Sequence, residues 1–567
     1  MILSAVSVWK KFDMSNPLCP SEWGGTEDAA AGMRFWNVTY YGRKANDGSV
    51  RVFARFGKPS AGERFPAVLL LPEAGKPLDD ELLYYFIDKG YAVLMPDYSG
   101  EREGAAENAP RTVYPESLKY ADFVRAGGYD RVDTTADETC WFEWISVALY
   151  SIEYLKQRGD VSGIGVVGIR TGGEIAWKTM LSPDVKCGVP INAAGWRAYR
   201  NIGKFADNAE INMSDERHRY IAGIESQSYA PFVKCPVLML CALHDDGFDY
   251  DRAYDTYSRI GCEDGNAIAY SADSGSCIGP NALKDLDLFL EKHLKGREIY
   301  IPKSLNVALK FEDDTLKAEV EYDDGGILEE TGIYYAESSE KTKATFREWH
   351  CAFRTEGKNV KNGKLSCELP RYKGAAISFV FAYAKYINGF RVASKIAAKR
   401  FADPDPKAVR SRVLYSGEEV DCFGVAGYED YSIADIFLEC EAVPKLTEGY
   451  GRIKGAYSVG GIKTYKISSP RYVPEENAML EFDVYFRKDG ELKVSVDIAD
   501  EENRTERFSC FVPVRGGGKW KRIILSPNEF KDEGMGAPLK SFSQGQALLF
   551  DCEDETNEYA VTNILWL

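Results

Sequence analysis

Apolar and polar positions change rhythm twice along the chain. Through the first 300 residues, short dense apolar runs alternate with blocks of helical spacing. Residues 66–71 and 91–95 are nearly unbroken apolar runs, the pattern of strands covered on both faces of a parallel sheet. Residues 164–167, 186–191, 236–241 and 267–270 repeat it. Between them, residues 82–87, 141–155, 174–181 and 281–294 carry apolar residues at helical spacing, and Gly90 ends the first of these. This βαβ rhythm predicts a mostly parallel sheet with helices on both faces.

From Ile301 the period becomes two. Leu305, Val307 and Leu309 alternate, as do Leu316, Ala318 and Val320, and short strands are predicted at 333–335, 377–381 and 390–393. Residues 301–405 read as a small β-sandwich, closed by the proline-broken stretch around 401–406. In residues 406–567, Leu480, Phe482, Val484 and Phe486 alternate. Leu492, Val494, Val496 and Ile498 do the same after Lys488-Asp489-Gly490, which predicts a hairpin. Trp520, Ile523 and Leu525 predict another strand, and residues 547–550 and 560–567 two more, with Trp520 and Trp566 in the core. A jelly-roll sandwich fits this last segment. The fold class is therefore multidomain: α/β over 1–300, then two all-β units.

Charge narrows the partners. The chain has 567 residues, 70 basic and 87 acidic side chains and a net charge of -17, the opposite of what a general nucleic-acid binder carries. Thirteen cysteines are spread thinly with no C-x-x-C pair, so neither a disulfide framework nor a structural zinc site is predicted. No apolar run of about 18 residues occurs, and the short apolar stretch in the opening MILSAVSVWKKFD has no basic segment ahead of it and no small-residue cleavage site after it. The expectation is a cytoplasmic protein without membrane partner, metal or cofactor.

The chemistry concentrates at Ile164-Gly165-Val166-Val167-Gly168-Ile169-Arg170-Thr171-Gly172-Gly173-Glu174. A strand, a tight glycine-rich turn and a helix are the setting of a nucleophile elbow, whose working pattern is G-x-S-x-G. Arg170 stands at the nucleophile position. A guanidinium stays protonated and offers no lone pair, so it cannot attack an acyl carbon. Thr171 is one residue late and is expected to point elsewhere.

On these residues the first 300 positions resemble an α/β-hydrolase domain of the acetyl-xylan-esterase and dienelactone-hydrolase-like group. The stretches 35–40, 51–54, 65–72 and 91–97 carry the same likeness. The middle segment resembles an immunoglobulin- or fibronectin-like domain. The last resembles a galactose-binding-like jelly roll of the kind found in carbohydrate-binding modules, on Lys519-Trp520-Lys521-Arg522-Ile523 and residues 559–564. The resemblance implies a catalytic acid just after strand 236–241, where Asp245 matches best and Asp249 second. It implies a general base after strand 267–270, where Ser276 stands and no histidine is found. It implies an oxyanion loop at Pro72-Glu73-Ala74-Gly75, where a carboxylate at Glu73 would repel a developing oxyanion. A short cap is expected near 197–230, containing His218. Of the four histidines, His244 alone adjoins the acid position; His293 and His350 read as structural or surface residues.

A degenerate triad at Arg170, Asp245 and Ser276 implies a domain inactive as a serine hydrolase. Arg170 over a helix N-terminus is electrostatically awkward. Either it pairs with Asp245 or Glu73 and fills the catalytic space, or it joins the amides at Gly172 and Gly173 to cradle an acidic ligand. Tyr450 and Tyr457 are candidates for a carbohydrate surface in the last segment. The reading is a non-catalytic protein that binds a carbohydrate or small acidic ligand. The alternatives are an esterase using Asp245, His244, Asp249 or Thr171 unconventionally, and a structural subunit with a protein partner.

Overall fold

The computed structural model describes residues 1–28, 31–127, 129–199, 202–205, 213–243, 245, 247–271, 278–312, 315–323, 325–339, 347–372, 374–401, 410–417, 420, 423–426, 444–499, 505–554 and 556–567. The apolar runs of the first segment become one nine-stranded mixed sheet. In chain order its strands are β1 (Ser21–Asp28), β2 (Met33–Ala45), β3 (Gly48–Pro59), β4 (Phe65–Leu71), β5 (Ala92–Asp97), β6 (Val161–Ile169), β7 (Val185–Ile191), β8 (Leu238–Ala242) and β9 (Ala267–Ser271). Their spatial order is β1-β2-β3-β5-β4-β6-β7-β8-β9, antiparallel from β1 through β5 and parallel from there on. β1 is exposed along its whole length and caps the antiparallel edge.

Helix α1 (Asp80–Asp88), capped by the Asp79 carboxylate, and the closing helix Gly279–Lys295 cover one face of the sheet through Leu82, Leu83, Phe86, Leu286, Phe289 and Leu290. Helices α2 (Cys140–Gln157) and α3 (Thr171–Thr179) cover the other through Trp141, Trp144, Ile145, Ile175 and Trp177. This is an α/β-hydrolase-like three-layer core. After β7 come the 3-10 turn Arg197–Tyr199 and helices α4 (Asp215–Gly223) and α5 (Ser226–Tyr229).

The remaining sheets are all antiparallel. The middle segment holds a three-stranded and a five-stranded sheet, the latter around strand Ile377–Tyr386. That strand shows why the boundary near residue 300 is no gap. Val380 and Ala382 face the sandwich interior, while Phe379 and Phe381 face the α/β core, with Phe381 5.2 Å from the ring of Tyr270. The last segment holds two six-stranded sheets over a core of its own.

Two predictions for that segment need correction. Leu480–Phe486 and Gly490–Ala499 do not pair as a hairpin; they lie in different sheets, the first beside Lys521–Leu525 and Tyr559–Trp566, the second beside Thr505–Val514 and Gly545–Asp551. Alternation identifies the buried face but not the neighbouring strand, and here both buried faces meet across the sandwich. The Asn557 amide holds the corner, accepting from Lys488 N (3.1 Å) and donating to the carbonyls of Lys488 (3.1 Å) and Asp489 (3.3 Å). Trp520 is not a core residue. It shares the parity of Arg522 and Ile524, opposite to Ile523 and Leu525, and lies on the outer face with its indole N–H donating to the Tyr450 carbonyl at 3.0 Å.

Candidate functional site

Arg170 stands between β6 and α3 with φ 49° and ψ -111°, a strained conformation for a residue with a side chain. Its N–H donates to the Ile191 carbonyl (2.9 Å), and its carbonyl accepts from Glu174 N (2.9 Å). The glycines around it serve close approach: none of Gly168, Gly172 and Gly173 has a positive φ. A Cβ on Gly172 would stand 2.6 Å from the Leu71 carbonyl carbon and overlap the oxygens of Leu71 and Pro72. The elbow is therefore wedged against the end of β4, beside the loop that begins at Pro72.

Asp245 lies 1% exposed beyond the end of β8. Its Oδ2 accepts from Arg170 Nε at 2.9 Å and from Asn192 Nδ2 at 3.0 Å, and its Oδ1 accepts from Gly247 N at 2.6 Å. On the other side, Arg170 Nη1 faces both oxygens of Glu73 at 3.4 Å. The side chains of Arg170 and Glu73 are 16% and 22% exposed, so the pairing sits at the mouth of the site. Two carboxylates thus answer the positive charges of the guanidinium and the helix N-terminus.

The loop opposite the elbow is equally occupied. Ala74 N donates to the Thr171 hydroxyl at 2.6 Å, and Tyr98 OH lies 3.1 Å from the same oxygen and donates to the Pro72 carbonyl. Gly75 N donates to Ser99 Oγ at 3.1 Å. Thr171 therefore closes this loop onto the elbow. Asp249, the second choice for the acid, caps the turn Tyr250–Arg252 and pairs with Arg252 Nε at 3.1 Å; burial, reinforced by the neighbouring Asp251, pushes its carboxyl up to about 6. It does not join Arg170.

The structure brings together Arg170, Asp245, Glu73, Thr171, Gly172 and Gly173. Ser276 and His244 lie outside the described residues. Tyr450 is 54% exposed beside Trp520, whereas Tyr457 is 5% exposed and packs against Tyr559 at 5.3 Å inside the last sandwich. His218 is exposed on α4. His293 packs 4.6 Å from Phe289, and burial lowers its imidazole to about 4. Among the described residues no group of three His, Cys, Asp or Glu is placed to hold a metal ion, ten cysteines are free thiols, and no helix is long and apolar enough to cross a membrane.

Sequence reasoning missed Asn192. Its φ is 49°, its Oδ1 accepts from Ala242 N at 2.8 Å, and its Nδ2 fixes Asp245. The available signal was an asparagine directly after an apolar strand, the residue type that, after glycine, enters the left-handed region most readily.

No protein-family model and no curated protein matches the chain. Among solved structures it is similar to an acetyl xylan esterase from Paenibacillus sp. R4, with 17% identity over 49% of this chain and 90% of that one and a TM-score of 0.38. It is similar to acetyl xylan esterase 1 from Thermoanaerobacterium sp. JW/SL YS485, with 16% identity over 45% and 82% and a TM-score of 0.33. A 2,6-dihydroxy-pseudo-oxynicotine hydrolase matches with 16% identity over 46% and 69% and a TM-score of 0.33.

Proposed function

We propose that this chain is a non-catalytic α/β-hydrolase-fold protein, a pseudo-esterase that acts by binding a carbohydrate or other small ligand. The observation that carries this reading is the 2.9 Å pair between Arg170 and Asp245. The residue in the elbow conformation is a cation without a lone pair, and the carboxylate that would orient a general base is bound to it instead. Asp245 also accepts from Asn192 and Gly247, which commits both of its oxygens. The Thr171 hydroxyl is engaged by Ala74 N and Tyr98, so the nearest alternative nucleophile is held away as well. Among the described residues two carboxylates already face the Arg170 guanidinium, which disfavours an acidic ligand at Arg170 itself.

The test is turnover of a panel of acetylated sugars and short acyl esters by native protein, Asp245→Asn, His244→Ala and Arg170→Ser. All four are expected to stay at the uncatalysed rate. Arg170→Ser belongs in the panel because it returns a hydroxyl to the elbow but supplies no base, and a serine without one gains little. Hydrolysis by native protein that Asp245→Asn or His244→Ala abolishes would sink the reading and favour an unconventional esterase.

A further inference from the structure

Arg197 opens the 3-10 turn that follows β7, and β7 pairs in parallel with β6, the strand that carries the elbow. Loops at the carboxyl ends of neighbouring parallel strands border the crevice where such sheets bind ligands. Its guanidinium lies 5.7 Å from the ring centre of Tyr129 and 5.6 Å from that of Trp141. Among the described residues no carboxylate lies within ion-pair distance of it and no hydrogen-bond acceptor meets its side chain. This is unlike its neighbours: Arg170 pairs with Asp245 and Glu73, Arg252 with Asp249, and Arg347 with Asp251. Carboxylates are not scarce in a chain with 87 acidic and 70 basic side chains. Aromatic faces orient a guanidinium and strip part of its water, but they do not neutralise it.

The turn that presents Arg197 is rigid. Asn192, Gly195 and Trp196 all have positive φ, at 49°, 77° and 69°. A tryptophan there is held against steric strain by its surroundings. Two buried glutamates do the holding: Glu174 Oε1 accepts from Gly195 N at 2.8 Å, while Glu225 accepts from Trp196 N and, at 2.6 Å, from Ala198 N. The backbone that carries Arg197 is held before any ligand arrives, and the two rings orient its guanidinium, which lowers the entropy lost on binding.

A partly exposed aromatic wall joins Arg197 to the elbow. The Tyr129 hydroxyl is raised chiefly by burial and feels both Arg197 and Glu73. Phe123 lies 6.1 Å from Tyr129 and packs against Gly75 in the loop after β4. A planar guanidinium with five donors suits a carboxylate held by two parallel bonds, and the rings suit a flat or apolar-faced body.

We propose that Arg197 is the anion-receiving residue of a binding site beside the closed Arg170 centre, and that this site takes a ring-shaped small molecule bearing a carboxylate, of which a uronic acid is the simplest carbohydrate example. The inference rests on the non-catalytic reading and names the ligand class of the same crevice.

Calorimetric titration of the full-length protein with D-glucuronate and with D-glucose tests it, since the two probes share a ring and differ in the carboxylate. Native protein is expected to bind glucuronate at least about tenfold more tightly than glucose, with the preference shrinking as salt rises. Arg197→Met is expected to erase the preference, and Arg197→Lys, which keeps the charge and spares the turn, to retain part of it. Near-uv circular dichroism checks that both variants keep the native packing; if Arg197→Met does not fold, Arg197→Lys must still lose affinity for glucuronate and not for glucose. No glucuronate binding, equal affinity for the two sugars, or an unchanged preference in either variant overturns the proposal. So does inorganic phosphate displacing glucuronate at equal concentration, which would assign the site to phosphate. Background ester turnover together with any of these results leaves the non-catalytic reading standing and removes this one alone.

Discussion

Gly172 is where the elbow is most exacting about residue type. A methyl group there would be pressed into the carbonyls of Leu71 and Pro72, which are backbone at the end of β4 and cannot swing aside. Gly172→Ala is expected to cost at least about 3 kcal/mol, at the upper end of overpacking penalties. Gly159→Ala, where nothing lies within 4 Å of the added carbon, is expected to stay within about 0.5 kcal/mol. Urea unfolding of the two variants decides it; equal stabilities would mean that the elbow can slide off β4. Glycine spacing made Arg170 legible as the residue at the nucleophile position, and the resemblance to the hydrolase group pointed to Asp245 at the acid position, one of two carboxylates, with Glu73, that could meet it. The closing bond from Ala74 N to the Thr171 hydroxyl and the support from Asn192 were not legible. They depend on which atoms of separate loops meet above the sheet, and the rhythm of apolar residues contains no trace of that.

Helix α3 carries Arg170 on a support that its pattern does not advertise. Every residue from Thr171 to Thr179 is buried, including Glu174 and Lys178. Lys178 Nζ donates to Ser226 Oγ at 2.7 Å, and Ser226 donates in turn to Glu174. Glu225 completes the cluster, and burial together with the nearby Glu174 raises its carboxyl to about 7 from an ordinary 4.5. The folded chain therefore keeps a proton there that the unfolded chain releases. Glu225 contributes stability that is complete below about pH 4.5 and is lost as pH rises through about 7, on the order of 3 kcal/mol. Asp285 and Glu337 are raised to about 7 by burial and act in the same direction. The contrast that isolates Glu225 is therefore native protein against Glu225→Gln, with urea midpoints compared at pH 5 and pH 7.5. The variant should lose less stability over that interval, and parallel losses would refute the assignment. At this scale the sequence was legible where an element is long and apolar: α1, α2 and all six parallel strands fall within a few residues of their predicted bounds. It misled where neighbours had to be chosen, as with the two strands flanking Lys488-Asp489-Gly490, because alternation is identical for a hairpin and for a corner between sheets.

Taken whole, the molecule has buried clusters that cross the break in its sequence rhythm. The rhythm breaks at residue 300, yet both cores of the α/β segment continue into the middle sandwich, and only the last segment has a core to itself. The junction is fixed by Arg347, whose Nη1 donates to Asp251 Oδ2 at 3.0 Å, whose Nη2 donates to Asp251 Oδ1, and whose guanidinium lies 3.7 Å from the Phe379 ring centre. Both side chains are almost wholly buried. The two halves of this pair are not equivalent. Asp251→Ala leaves a buried guanidinium that cannot shed its proton, and the expected cost is about 3–5 kcal/mol. Arg347→Met leaves a buried carboxyl that can take up a proton instead, so it should cost less, and its cost should shrink as pH falls. Differential scanning calorimetry reads both size and place. The loss should appear in the transition shared by the α/β segment and the middle sandwich, with the transition of the last sandwich little changed. If Asp251→Ala instead shifted only part of that first transition, the two segments would fold separately and the shared cores would be contacts between finished domains. If it cost no more than Arg347→Met at neutral pH, the pair would not be the closed, water-free clamp that its burial implies.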